Sequence, residues 1–203
     1  RSTLFPYTTL FRSNQRVLFD LFPQGDRSWP SAEGNRMVMA MSTKTVKNAP
    51  VTPAFTASAE LAADLQRALV DITALSLVGK QVHWNVVGPN FRDLHLNLDE
   101  VVDIAREGSD ELAERMRAIN AYPDGRPATV AEQTSVPEAP EAGVITADAV
   151  DYIVSAINAV TTTLREIHGA VDEADPSSSG ILEDYTQRLE QQSWFLSAQN
   201  YSA

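Results

Sequence analysis

From about Ser58 onward, four stretches repeat apolar residues at three- and four-residue spacing, and each is far longer than a strand. The first carries Leu61, Leu65, Leu69, Ile72, Leu75 and Leu77 toward a stop at Gly88-Pro89, which predicts a helix A of about 30 residues. A second helix is expected after Asn90 as N-cap, with Leu94, Leu98, Val101, Ala105, Leu112, Met116 and Ile119 on one face. It ends before Tyr122-Pro123. A third runs from about Thr146 with Val150, Ile153, Ile157, Val160, Leu164, Ile167 and Val171, and breaks at Asp175-Pro176. A fourth starts at Ser178 or Ser179 and carries Leu182, Tyr185, Leu189 and Leu196.

The links between these stretches are as informative as the stretches. Two are short, whereas the second and third are separated by Pro123, Gly125, Pro127, Pro137 and Pro140. Within that gap, Thr129 and Glu132 have capping-box spacing and predict a short helix. Four long helices with one long B–C crossover make an all-α, ferritin-like four-helix bundle. No strand pattern and no internal repeat competes with this reading.

The N-terminal quarter reads differently. Thr3 to Ser13, TLFPYTTLFRS, looks like the in-frame translation of a common sequencing-adapter oligonucleotide, and Asn14 to Arg36 has no clear period. Residues 1–36 are therefore taken as an artefactual or untranslated-region-derived leader, with Met37, Met39 or Met41 as natural starts. Residues 37–57 read as a flexible tail, and 58–203 as the domain.

Charge and composition narrow the chemistry. The net charge is −11; residues 1–36 hold five Arg and three acids, net +2, so the remainder carries −13. Such a body repels nucleic acid and attracts cations, which favours a metal such as iron over phosphate. There is no cysteine, so disulfides and thiolate metal sites are excluded and a cytoplasmic setting is favoured. No apolar run approaches the roughly 18 residues of a membrane helix, and no membrane partner is expected.

The candidate ligands are imidazoles and carboxylates. His83 lies under the apolar stripe of helix A, where a histidine standing alone would usually be structural. On helix B, His95 and Asp99 stand at i and i+4, a spacing that grips one ion or makes a local hydrogen bond. Asp110 and Glu114 repeat that spacing, and Asp110 lies within about 20° of the face of Asp99. Eleven residues at 1.5 Å rise separate Asp99 from Asp110 by about 16 Å, too far to share an ion with bonds of about 2 Å. One chain cannot close this site. Two copies of helix B packed antiparallel about a two-fold axis would form two sites per dimer.

The strings KQVHWNVVG at 80–88, FRDLHLNLDE at 91–100 and SDELAER at 109–115 resemble the signature of the Dps family of miniferritins, over roughly Ser58 to the C-terminus. The resemblance implies an inter-subunit ferroxidase centre with His83, His95 and Asp99 from one subunit and Asp110 and Glu114 from its mate. It implies two ferrous ions per site, oxidised preferably by hydrogen peroxide, and a dodecameric shell of two-fold dimers that stores ferric mineral and protects against oxidative stress. Trp84 matches a tryptophan near that centre that intercepts oxidising equivalents; its other reading is a core or interface aromatic. Asp172, Glu173 and Asp175 resemble the acids of a three-fold iron-entry pore, or form a solvated loop. Glu100 is either a nucleation carboxylate facing the cavity or an ordinary surface glutamate. Arg165 stands three positions before His168, so the Glu-x-x-His pair of larger ferritins is absent and His168 is left out of the site.

Other functions find less support in the sequence. Nucleoid association through a basic tail rests on Lys44 and Lys47 alone, which predicts weak DNA binding or none. A hydrolase on the same scaffold has no legible Ser/His/Asp arrangement, although such triads are spatial. A merely structural bundle leaves five ligand-spaced residues unexplained.

Overall fold

The computed structural model describes residues 54–201, so the leader, most of the tail, the three candidate start methionines, Lys44 and Lys47 lie outside the described residues. Among those described, the helices are α1 (Ala59–Asn85), α2 (Phe91–Ala118), α3 (Pro127–Gln133), α4 (Thr146–Ala174) and α5 (Pro176–Gln199). The expected four-helix bundle with a helix-containing crossover is what forms.

The apolar stripes read from the sequence make the core. Leu65, Ile72, Leu75, Leu98, Leu112, Ile153, Ile157, Leu164 and Leu189 are all inaccessible to solvent. Leu77 departs from the expectation: it is 59 % exposed, because the helical period turns it away from the stripe that Leu75 and Val82 follow. α1 packs between α2 and α4, and α5 closes the ring against the same two helices. Two close approaches fix those contacts. A Cβ at Gly79 would stand 2.8 Å from Val102 Cγ2 between α1 and α2, and one at Gly108 would stand 2.8 Å from the Tyr185 ring between α2 and α5.

Helix ends follow local chemistry, with several differences from the sequence reading. Ser58 caps α1, its Oγ accepting the Leu61 N–H at 3.1 Å, and the Ala57 N–H donates to the Ile119 carbonyl. α1 stops at Asn85, short of Gly88, because Val86 and Val87 turn extended as strand β1 and pair in parallel with strand β2 (Val144–Ile145). That two-residue ladder was not legible as a strand pattern. It ties the end of α1 to the start of α4, so the crossover must travel the length of the bundle.

Asn90 is not a side-chain cap; it takes the left-handed conformation, φ 58°, to turn the chain into α2. Thr129 and Glu132 form no capping box, since α3 already begins at Pro127 and the Thr129 hydroxyl donates to Asp124 instead. α5 begins at Pro176, two residues before the expected Ser178, because proline suits the first turn of a helix.

The crossover is pinned by a buried acid that no apolar stripe reveals. Asp71, 3 % exposed, accepts bonds from the Thr134 and Ser135 hydroxyls, the Ser135 N–H and the Thr163 hydroxyl, at 2.7–3.0 Å. Four donors satisfy the carboxylate, so its burial carries no orphaned charge.

Candidate metal centre

The end of α1 and the start of α2 converge on three of the expected ligands. His83, His95 and Asp99 each offer a ligand atom within 4.8 Å of the others. The two imidazoles stack with centroids 3.7 Å apart and planes 25° from parallel. Their Nδ1 atoms make a reciprocal pair of bonds: His83 Nδ1 donates to the His95 carbonyl at 3.0 Å, and His95 Nδ1 donates to the His83 carbonyl at 3.1 Å. A carbonyl can only accept, so both Nδ1 atoms carry the proton. Nε2 of each neutral ring is then the lone pair left for a metal.

The environment of His83 and Asp99 favours their metal-binding forms. Burial of His83 is the largest influence and lowers its affinity for a proton; the His95 carbonyl and the Asp99 charge oppose it, the nearby Lys80 charge adds to it, and the net shift is downward. Asp99 is held below the usual carboxylate range, chiefly by its bond from the Lys80 ammonium, against a smaller opposing effect of desolvation. Asp99 Oδ1 also lies 3.4 Å from His83 Nδ1. In the sequence Lys80 stands out only as the first residue of the string KQVHWNVVG. Its role was available from spacing, since i and i+3 place it beside His83 on α1.

Asp110 and Glu114 do not join the trio. Both are exposed on the C-terminal half of α2, as the helix rise requires. Asp110 lines an open groove with Leu69 and Thr73 of α1 and with Arg106, Ser109 and Ala113 of α2. The α2 face holding all four of its candidate ligands is thus accessible in a single chain.

Comparisons with known proteins agree with this architecture. A family model of the ferritin-like domain matches residues 62–200. The DNA protection during starvation protein of Mycolicibacterium smegmatis is 33 % identical over 142 residues, covering 68 % of this chain and 76 % of that protein. Among solved structures, Dps from Microbacterium arborescens in its high iron form superposes with a TM-score of 0.66 at 35 % identity, covering 72 % of this chain and 98 % of the other. The chain belongs to the Dps family. A 36 % identical relative over 166 residues, covering 78 % of this chain and 86 % of its own length, carries another kind of name, the fine tangled pili major subunit of Haemophilus ducreyi.

The remaining residues expected from the Dps resemblance fall into different surroundings. Trp84 is 71 % exposed, so it is no core aromatic of the protomer. Glu100 is exposed on α2 and accepts a long bond from Gln192 of α5 at 3.4 Å. Asp172 and Glu173 are exposed, with Asp172 accepting the Ser179 hydroxyl at 2.7 Å.

Asp175 corrects the pore reading. It is buried, ion-paired to Arg115 at 2.6 Å and bonded by the Ser178 hydroxyl, so it is consumed inside the fold and is not a free pore acid. Burial pushes the Asp175 carboxyl up, but Ser178 and Arg115 together outweigh it and hold it below the usual range. His168 pairs with Glu183 at 3.0 Å in a groove between α4 and α5, away from the trio. Among the described residues, no helix is long and apolar enough to cross a membrane.

Proposed function

We propose that this Dps-family chain is a ferroxidase and iron-storage protein whose catalytic sites are shared between two-fold-related subunits. One observation carries the reading: three ligands converge at the start of α2, while two matching carboxylates stand exposed farther down the same helix. An antiparallel mate would bring Asp110 and Glu114 onto His83, His95 and Asp99, giving a mixed imidazole and carboxylate set suited to iron.

Iron is substrate here. Two ferrous ions supply two electrons, hydrogen peroxide accepts them as its O–O bond breaks, and with two protons its oxygens leave as two waters. Hydrogen peroxide is proposed as the preferred oxidant and a dodecamer as the storage shell. Asp99 and Glu114 would anchor the ions, and the Nε2 atoms of His83 and His95 would complete the binding. Trp84, exposed and next to His83 in the chain, would intercept stray oxidising equivalents. Asp172 and Glu173 remain the proposed entry acids, and Glu100 the proposed nucleation carboxylate. Removing ferrous iron and peroxide together would protect DNA in a cytoplasmic or nucleoid setting without tight DNA binding, consistent with a body whose net charge is strongly negative.

The test is anaerobic ferrous loading followed by stopped-flow addition of peroxide. Wild type should oxidise iron rapidly and Asp110→Ala/Glu114→Ala should not. Equal rates in the two proteins would reject the site.

A further inference from the structure

We propose that Asp103 of one chain and Arg106 of its two-fold mate form a reciprocal ion pair that sets the register in which two copies close the metal site. The inference rests on the shared site proposed above and adds the element that aligns it.

An antiparallel pair of α2 helices brings together residues equidistant from the axis. If His95 and Asp99 are to meet the mate's Glu114 and Asp110, the axis must lie level with the bond between Ile104 and Ala105. That single choice fixes every other pairing along the face. Exposed Leu96 then meets Ala113, and exposed Asp103 meets exposed Arg106, twice, on either side of the axis. Neither Asp103 nor Arg106 forms an ion pair among the described residues, although i, i+3 spacing would permit one within the helix. Both charges are therefore available to a partner.

Charge also argues against neighbouring registers. Sliding one turn in one direction keeps Asp99 opposite a carboxylate, now Glu114, but trades the Asp103–Arg106 attraction for Asp103 facing Asp110. Sliding the other way lays Arg106 on an Asp99 that Lys80 already neutralises. In the chosen register Arg92 falls level with Arg117, but Arg117 is turned back, its Nη1 donating to the Ala121 carbonyl and its guanidinium lying 4.1 Å from the Tyr122 ring centroid. Before iron arrives, the mate's Asp110 and Glu114 bring two unpaired carboxylates to each trio, so attraction near the axis is what the iron-free dimer needs.

The proposal gives an exchange test that an intrachain pair would fail. Full-length Asp103→Arg carries two cations at the axis and Arg106→Asp carries two anions, so each should form homodimers about tenfold more weakly than wild type. Mixed together without iron and with chelator present, their charges become complementary. Native mass spectrometry of isotope-labelled chains should then find heterodimers far above the roughly one-half statistical share. The double exchange Asp103→Arg/Arg106→Asp should recover wild-type homodimerisation. Circular dichroism verifies helicity, and a variant that loses it is replaced by Asp103→Lys or Arg106→Glu. Statistical mixing, undiminished homodimers of both single variants, or no association in the mixture would each overturn the pair. Because the readout is iron-free assembly, its failure is separate from failure of the ferroxidase site, which is read in iron oxidation.

Discussion

The two ends of α2 carry similar ligand chemistry in opposite states of completion. At the N-terminal end, α1 supplies His83 and Lys80, the stacked imidazoles fix each other's tautomer, and Asp99 is already neutralised. At the C-terminal end, Asp110 and Glu114 stand in solvent, while the neighbouring Arg115 turns inward to bind Asp175 and Ser178. One end gathers three groups that could hold an ion, and the other presents carboxylates with no hydrogen bond or ion pair among the described residues. The difference teaches that one chain assembles three of the five candidate ligands and leaves the other two exposed, which is why the proposed catalysis needs a pair of chains.

The strongest way to break that contrast is to delete the exposed end. Asp110→Ala/Glu114→Ala should slow peroxide-driven ferrous oxidation by roughly 100-fold or more, while urea denaturation stays within about 0.5 kcal/mol of wild type. A large loss of stability with full activity would invert the roles assigned to the two ends.

A second change sharpens the organised end. Lys80→Met removes the cation that would compete with iron for Asp99. The Lys80 and Asp99 side chains are 19 % and 38 % exposed, so the pair is worth about 1 kcal/mol after screening and ferrous affinity should rise roughly fivefold. Titration calorimetry with ferrous ion under anaerobic conditions reads this directly. Weaker binding would mean that Lys80 positions Asp99 more than it competes for it.

The third concerns the anchor behind Glu114. The Asp175 carboxyl is depressed in the folded state, so its contribution is fully present above the unfolded carboxylate range near pH 4 and is lost as pH falls through the lower folded value. Arg115→Met removes one of the groups that depress it, so the urea midpoint should fall less steeply below about pH 4 than in wild type. Identical acid slopes in both proteins would show that the ion pair does not stabilise this end.

The organised end and the bundle were largely legible in sequence because both rest on helical period. Leu98, Leu112, Ile157 and Leu164 fall on the expected faces, and His95 and Asp99 needed only i, i+4 spacing. What escaped depended on long-range contacts. The β1–β2 ladder joins residues far apart in the chain, and Asp71 is explained only by Thr134, Ser135 and Thr163. Asp175 reads as one acid among several near a loop until Arg115, on another helix, is seen beside it. Asp110 and Glu114 are a different case: their separation from the trio is fixed by helix rise, and the partner proposed for them lies in another chain.

Mixing inactive variants tests most directly whether each site draws ligands from two subunits. His83→Ala/His95→Ala and Asp110→Ala/Glu114→Ala should each be nearly inactive in peroxide-driven ferrous oxidation. Dissociated and reassembled together, they should form mixed dimers in which one site regains all five ligands and the other loses all that were changed. The account predicts that about half of the wild-type activity per mixed dimer returns. A mixture no more active than its components, with mixed dimers verified by mass, would contradict it.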